Sequence, residues 1–96
     1  MIVVIIFKNI KKFMEESVLL TDLKKHQKAI VKRINASPEL KQRLFSFGIV
    51  KGAEIEVIDC SLNKSTIEVR VGNTLLALRE NEAKAIEVEE IKDGNN

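Results

Sequence analysis

The chain has 96 residues, 45% of them hydrophobic and 31% charged, and a formal net charge of +2. That length builds one small core, and the composition is that of an ordinary globular domain, which sets aside disordered and collagen-like chains. With four Phe and no Trp or Tyr it lacks the aromatic platforms on which single-stranded nucleic acids stack, and its charge is dispersed rather than gathered into a phosphate-binding face, so no nucleic-acid partner is expected.

The first residues, MIVVIIFKNIKKFMEES, open on an apolar run from Met1 to Phe7, far short of the roughly 20 residues that cross a bilayer. Lys8, Lys11 and Lys12 follow that run instead of preceding it, unlike a secretory signal. As a helix, Ile2, Ile6, Ile10 and Phe13 share a face; as a strand, the β-branched run from Ile2 to Ile6 fits equally. Residues 1–16 are therefore set apart as an N-terminal extension. It is expected to pack on the domain's own surface or to precede a natural start at Met14, with contact to a membrane surface or a partner helix as the alternative. A single domain is expected over residues 17–92, and a frayed tail over 93–96.

Thr21 to Gln27, TDLKKHQ, reads as a polar turn or one helical turn leading into the strand AIVKRI. Ser37 is a favoured N-cap, Pro38 suits the first helical position and Glu39 suits the positive first turn. Leu40, Leu44 and Phe47 then form an apolar stripe at i, i+4 and i+7, with Lys41, Gln42 and Ser46 facing solvent. Phe47 is the expected C-cap. Gly48 supplies the left-handed residue after it, and Ile49 folds back on Leu44 as in a Schellman ending. Gly52 reverses the chain again, and AEIEVID alternates as a strand with Ala53, Ile55 and Val57 inward.

After the polar turn SLNKS, TIEVRV turns Ile67, Val69 and Val71 to one face. Gly72-Asn73 makes a two-residue hairpin of type II′, and TLLALR returns. RENEAKA is read as one helical turn before AIEVEEI, where Ile86 and Val88 point inward. The fold class expected is mainly β with a short helix, closed as a small barrel. Cys60 is the sole cysteine, so no internal disulfide and no CxxC motif can form, which fits a reducing cytoplasm. There is no P-loop, GxSxG or HExxH, and enzyme activity is not expected.

From Thr21 to Ile91 the chain resembles the FeoA family. The resemblance rests on RLxxxGIxxG from Arg43 to Gly52, the strand IEVI, the stretch VGNTLLALRENEA with Gly72, Leu78, Arg79 and Ala83, and the final IEV. It implies an SH3-like β-barrel with an inserted α-helix, to which the N-terminal segment is an addition. It also implies a small cytoplasmic accessory protein, working at the inner face of the membrane, that binds the cytoplasmic GTPase part of a FeoB-like ferrous iron transporter and modulates uptake. Similar barrels end the iron-dependent repressors, although no winged-helix segment precedes the barrel here. Where the family has Pro-Gly or Gly before the first strand, this chain has Lys25, His26 and Gln27, so a different turn is implied.

The expected partner surface is the helix-to-strand corner: Leu40, Arg43, Ile49, Val50 and Lys51, joined by Arg79, with Leu44 and Phe47 mostly in the core and Gly48, Gly52, Gly72 and Asn73 as structural turns. No resident cofactor is expected. The alternative is Fe²⁺ or another divalent ion held by His26, Glu89 and Glu90, since ferrous iron takes imidazole and carboxylate ligands; alternating Glu on an exposed strand more commonly confers solubility. Self-association, as a homo-oligomer formed through an edge strand or the N-terminal segment, is a third reading.

Overall fold

The computed structural model describes residues 17–63 and 65–91. The expectations for the N-terminal extension, including its helix and strand readings, and for the tail lie outside the described residues. The elements in order are β1 (Val18–Leu19), a 3-10 turn (Leu20–Asp22), β2 (Lys28–Ile34), α1 (Pro38–Ser46), β3 (Glu54–Cys60), β4 (Thr66–Val71), β5 (Thr74–Arg79), α2 (Glu80–Ala83) and β6 (Ile86–Glu90). The strands form one antiparallel sheet in the order β1-β6-β2-β3-β4-β5. The last strand thus lies between the first two. Shifts of register at Val31/Arg33 and Val57/Asp59 are the kind of irregularity that bends a sheet sharply.

Alternation along the strands places the core. Ile55 and Val57 of β3, Ile67, Val69 and Val71 of β4, and Ile86 and Val88 of β6 are all buried, as the sequence pattern requires. Leu44 from α1 and Leu20 from the 3-10 turn close the same cluster, both with no exposed surface.

The helix begins and ends by local rules. Ser37 Oγ accepts the Leu40 N–H at 3.2 Å and Pro38 occupies the first turn, so the cap satisfies one orphan donor and proline sacrifices none. At the other end Gly48, with φ +89°, donates to the Phe45 carbonyl at 2.9 Å, and Ile49 donates to the Leu44 carbonyl at 3.0 Å. This pair of bonds is the Schellman ending. Ala53 N–H then reaches the Val50 carbonyl at 2.9 Å around Gly52, φ +92°, a turn whose third residue needs positive φ. Gly52 N–H bonds to the Val31 carbonyl and Val31 N–H to the Ala53 carbonyl, each at 2.8 Å. The second glycine therefore delivers the chain onto β2.

The turn before β2 places a non-glycine residue in the conformation that favours glycine. Gln27 N–H bonds to the Lys24 carbonyl at 3.0 Å, and His26, the third residue of that turn, sits at φ +76°. It is the single non-glycine residue with positive φ among the described residues. Its amide donates to the Val57 carbonyl at 2.7 Å, which ties the turn to β3 and holds the unfavourable conformation in place. A left-handed conformation costs an L-residue about 1–2 kcal/mol, whereas glycine loses about 0.5–1 kcal/mol through extra freedom in the unfolded chain. His26→Gly is expected to gain about 0.5 kcal/mol, raising the melting temperature by about 2–4 °C; an unchanged or lower midpoint in a thermal scan would contradict the strain.

Candidate functional site

The corner between α1 and β3 sorts the expected surface residues by burial. Ile49 has no exposed surface. Its hydrogen bond to Leu44 turns the side chain under the helix, so it belongs to the core and offers nothing to a partner. Leu40 is half-buried against the core, while Arg43, Val50, Lys51 and Arg79 are exposed. The two glycine-dependent turns explain this division. The Schellman ending sends Ile49 inward, and the turn from Val50 to Ala53 then projects Val50 and Lys51 outward. Leu44 is fully buried and Phe47 half-buried, as the helical stripe requires.

The Arg43 side chain and the Arg79 backbone meet at a residue that sequence reading passed over. Glu82, 4% exposed, accepts the Arg79 N–H through Oε1 at 2.9 Å and pairs through Oε2 with the Arg43 guanidinium. One carboxylate therefore caps the short helix α2 and clamps α1 to it. The Arg43 guanidinium also lies 6.0 Å from the centre of the Phe47 ring, at the limit of a cation–π contact. The signal for Glu82 was present only in part: RENEA reads as a helical turn, but its burial depends on Arg43, 39 positions away.

Phe45 was also missed, since it stands off the apolar stripe. It is 49% exposed and, with Pro38, Lys41, Gln42 and Ser46, lines a shallow depression on the outer side of α1. An exposed aromatic ring beside an open depression is the kind of anchor that interfaces use.

The alternative metal ligands do not converge. Glu89 and Glu90 are adjacent on β6, so their side chains leave opposite faces of the sheet. Glu90 accepts from Gln27 Nε2 at 2.5 Å, and Glu89 is paired with Lys32 Nζ at 3.2 Å. His26 stands apart in its exposed turn. Among the described residues no three His, Cys, Asp or Glu side chains are grouped to hold a metal ion. Cys60 is half-buried at the end of β3, with a free thiol.

A curled antiparallel sheet with one capped helix inserted between its second and third strands is an SH3-like architecture. The FeoA domain model matches residues 18–90, so the chain belongs to the FeoA family. A Campylobacter jejuni protein named as an Fe(2+) transport protein A is 46% identical over 69 residues, covering 72% of this chain and 93% of that protein. The Stenotrophomonas maltophilia FeoA, crystallised with zinc and described as an SH3 domain protein, superimposes with a TM-score of 0.67 at 32% identity, over 75% of this chain and 89% of that one. A manganese-dependent transcriptional repressor shares the fold at 22% identity, with a TM-score of 0.72 over 78% of this chain and 42% of the repressor. No helix among the described residues is long and apolar enough to cross a membrane.

Proposed function

We propose that this protein binds the cytoplasmic GTPase part of a FeoB-type transporter at the inner face of the membrane and modulates ferrous iron uptake there, without turning over any small molecule itself. Membership of a family of small accessory proteins of ferrous iron transport carries the reading. The contact surface proposed is the exposed side of the corner: Val50 and Lys51 on their glycine-dependent turn, the outer edge of Leu40, and the guanidinium groups of Arg43 and Arg79. This choice is supported by exposure together with rigidity. The turn is hydrogen-bonded to β2 through the Gly52 N–H and the Ala53 carbonyl, and Arg43 is held by Glu82, so little ordering is needed on docking. Iron is the transporter's cargo in this scheme, and the protein's own residues contribute shape and charge.

Calorimetric titration with the soluble cytoplasmic part of the matching transporter, with and without GTP and Fe²⁺, tests the proposal. Saturable binding is expected, weakened about tenfold or more by Val50→Glu and by Lys51→Glu. Neither position contributes to the core, so loss of affinity will not reflect loss of fold. Absence of binding in every nucleotide state would overturn the proposal. Heat from Fe²⁺ alone would favour a metal-responsive role like that of the repressors.

A further inference from the structure

The two edges of the sheet are treated differently. At one edge β1 is only two residues long and passes at once into a 3-10 turn, a short, blunted edge of the kind that resists further pairing. At the other, β5 runs for six residues, TLLALR, with no lysine, acid or proline to guard it, and among the described residues it pairs only with β4.

The hairpin fixes which backbone groups of β5 are open. Val71 and Thr74 flank the two-residue turn at Gly72-Asn73, so they exchange both hydrogen bonds, and Leu76 and Leu78 repeat that arrangement against Val69 and Ile67. Leu75, Ala77 and Arg79 therefore turn their N–H and C=O groups away from β4. The Arg79 N–H is taken by Glu82. Among the described residues, nothing takes those of Leu75 and Ala77. Their side chains are exposed too, Leu75 by 52%.

We propose that β5 is a self-association edge, pairing antiparallel with β5 of a second copy of this chain about a two-fold axis at Leu76. Leu75 then stands opposite Ala77 of the second copy, and Ala77 opposite its Leu75. This register uses every open group on Leu75 and Ala77 in both copies, making four hydrogen bonds. It sets a large apolar side chain beside a small one on the outer face. The charges agree as well. Cross-strand neighbours on β4 are Arg70 beside Leu75 and Glu68 beside Ala77, so each row across the junction runs from an arginine of one copy to a glutamate of the other. No like charges meet, and like charges would repel. A single strand junction falls short of the roughly 1,200 Å² of a standard interface, so the dimer is expected to be weak and concentration-dependent. This needs no transporter and stands apart from the function proposed above.

Light scattering on the full chain, from micromolar to millimolar concentration, reads the mass, and amide hydrogen exchange reads the edge. The expected result is a shift from monomer to dimer, with exchange at Leu75 and Ala77 slowing by about tenfold or more over the same range. Leu75→Lys, which brings a charge to the centre, and Ala77→Pro, which removes an edge donor that β4 does not use, should each keep the chain monomeric. A monomer at every concentration overturns the proposal, as does a dimer that survives both substitutions. Exchange at Leu75 and Ala77 that is slow in the monomer also overturns it, since the edge would then be covered from within the same chain.

Discussion

Replacing Glu82 by alanine is expected to lower stability by about 2–3 kcal/mol, the loss of two hydrogen bonds to a charged group. For a domain whose total is about 5–10 kcal/mol, that is a shift of roughly 10–20 °C in melting temperature. The reasoning turns on burial. Glu82 is almost enclosed, its two oxygens are both engaged, and Arg43 is more than half exposed. Removing Arg43 therefore strands a carboxylate in the protein, whereas removing Glu82 leaves a guanidinium that water can solvate. The paired substitution Arg43→Met with Glu82→Leu should restore part of what Arg43→Met alone costs, because it no longer leaves an enclosed carboxylate without its cation, although the Arg79 backbone N–H still lacks its acceptor. Urea denaturation of the parent, both single variants and the double variant gives the coupling energy, expected at about 1–2 kcal/mol once the exposure of Arg43 is discounted. Additive losses would show that the pair contributes nothing beyond its separate contacts.

Ile49→Ala is the second large effect, about 3 kcal/mol, from a fully enclosed side chain truncated in a close-packed core. Its value lies in what it should leave alone. Measured well below its lowered melting temperature, Ile49→Ala is expected to bind the transporter part as the parent does, while Val50→Glu, one position on, keeps its stability and loses affinity. Reversal of that contrast would return Ile49 to the surface and undo the reading of the corner. Guanidinium or urea midpoints supply the stability half of the comparison, and calorimetry the other.

The corner was legible because each of its signals is local. An N-cap serine, a proline at the first position, a stripe at i, i+4 and i+7 and a glycine after the last turn act through neighbouring backbone groups, so reading them requires no knowledge of the fold. The strands from Lys28 onward were legible for a similar reason: alternation survives because one face is buried. What stayed hidden depends on distant partners. β1 is two residues whose identity as a strand comes only from β6, as Val18 faces Val88 and Leu19 faces Glu87. Glu82 looks like any acid in a helical turn until Arg43 is folded over it. His26 shows the opposite difficulty. The absence of the family's glycine was visible in the sequence, but that the backbone keeps the glycine conformation regardless follows from the hydrogen bond to Val57. In the candidate site, periodicity told inside from outside at Leu44 and Phe47. It could not rank exposed positions, so Phe45 was passed over, and Ile49 was placed on a surface that the Schellman ending denies it.

The position of β6 between β1 and β2 has a consequence for biosynthesis. Every other adjacent pair in the sheet joins strands that follow one another along the chain, but β6, the last of the six to be made, must enter between two strands made at least fifty residues earlier. Until it does, β1 has no neighbour among the described strands and β2 lacks one of its two. The sheet is thus completed only when its last strand arrives, and such non-local closure places folding toward the slower, millisecond-to-second end of small domains. A chain interrupted before Ile86 lacks the strand that joins β1 to β2, and is left with exposed hydrophobic surface of the kind that marks an incomplete product for degradation.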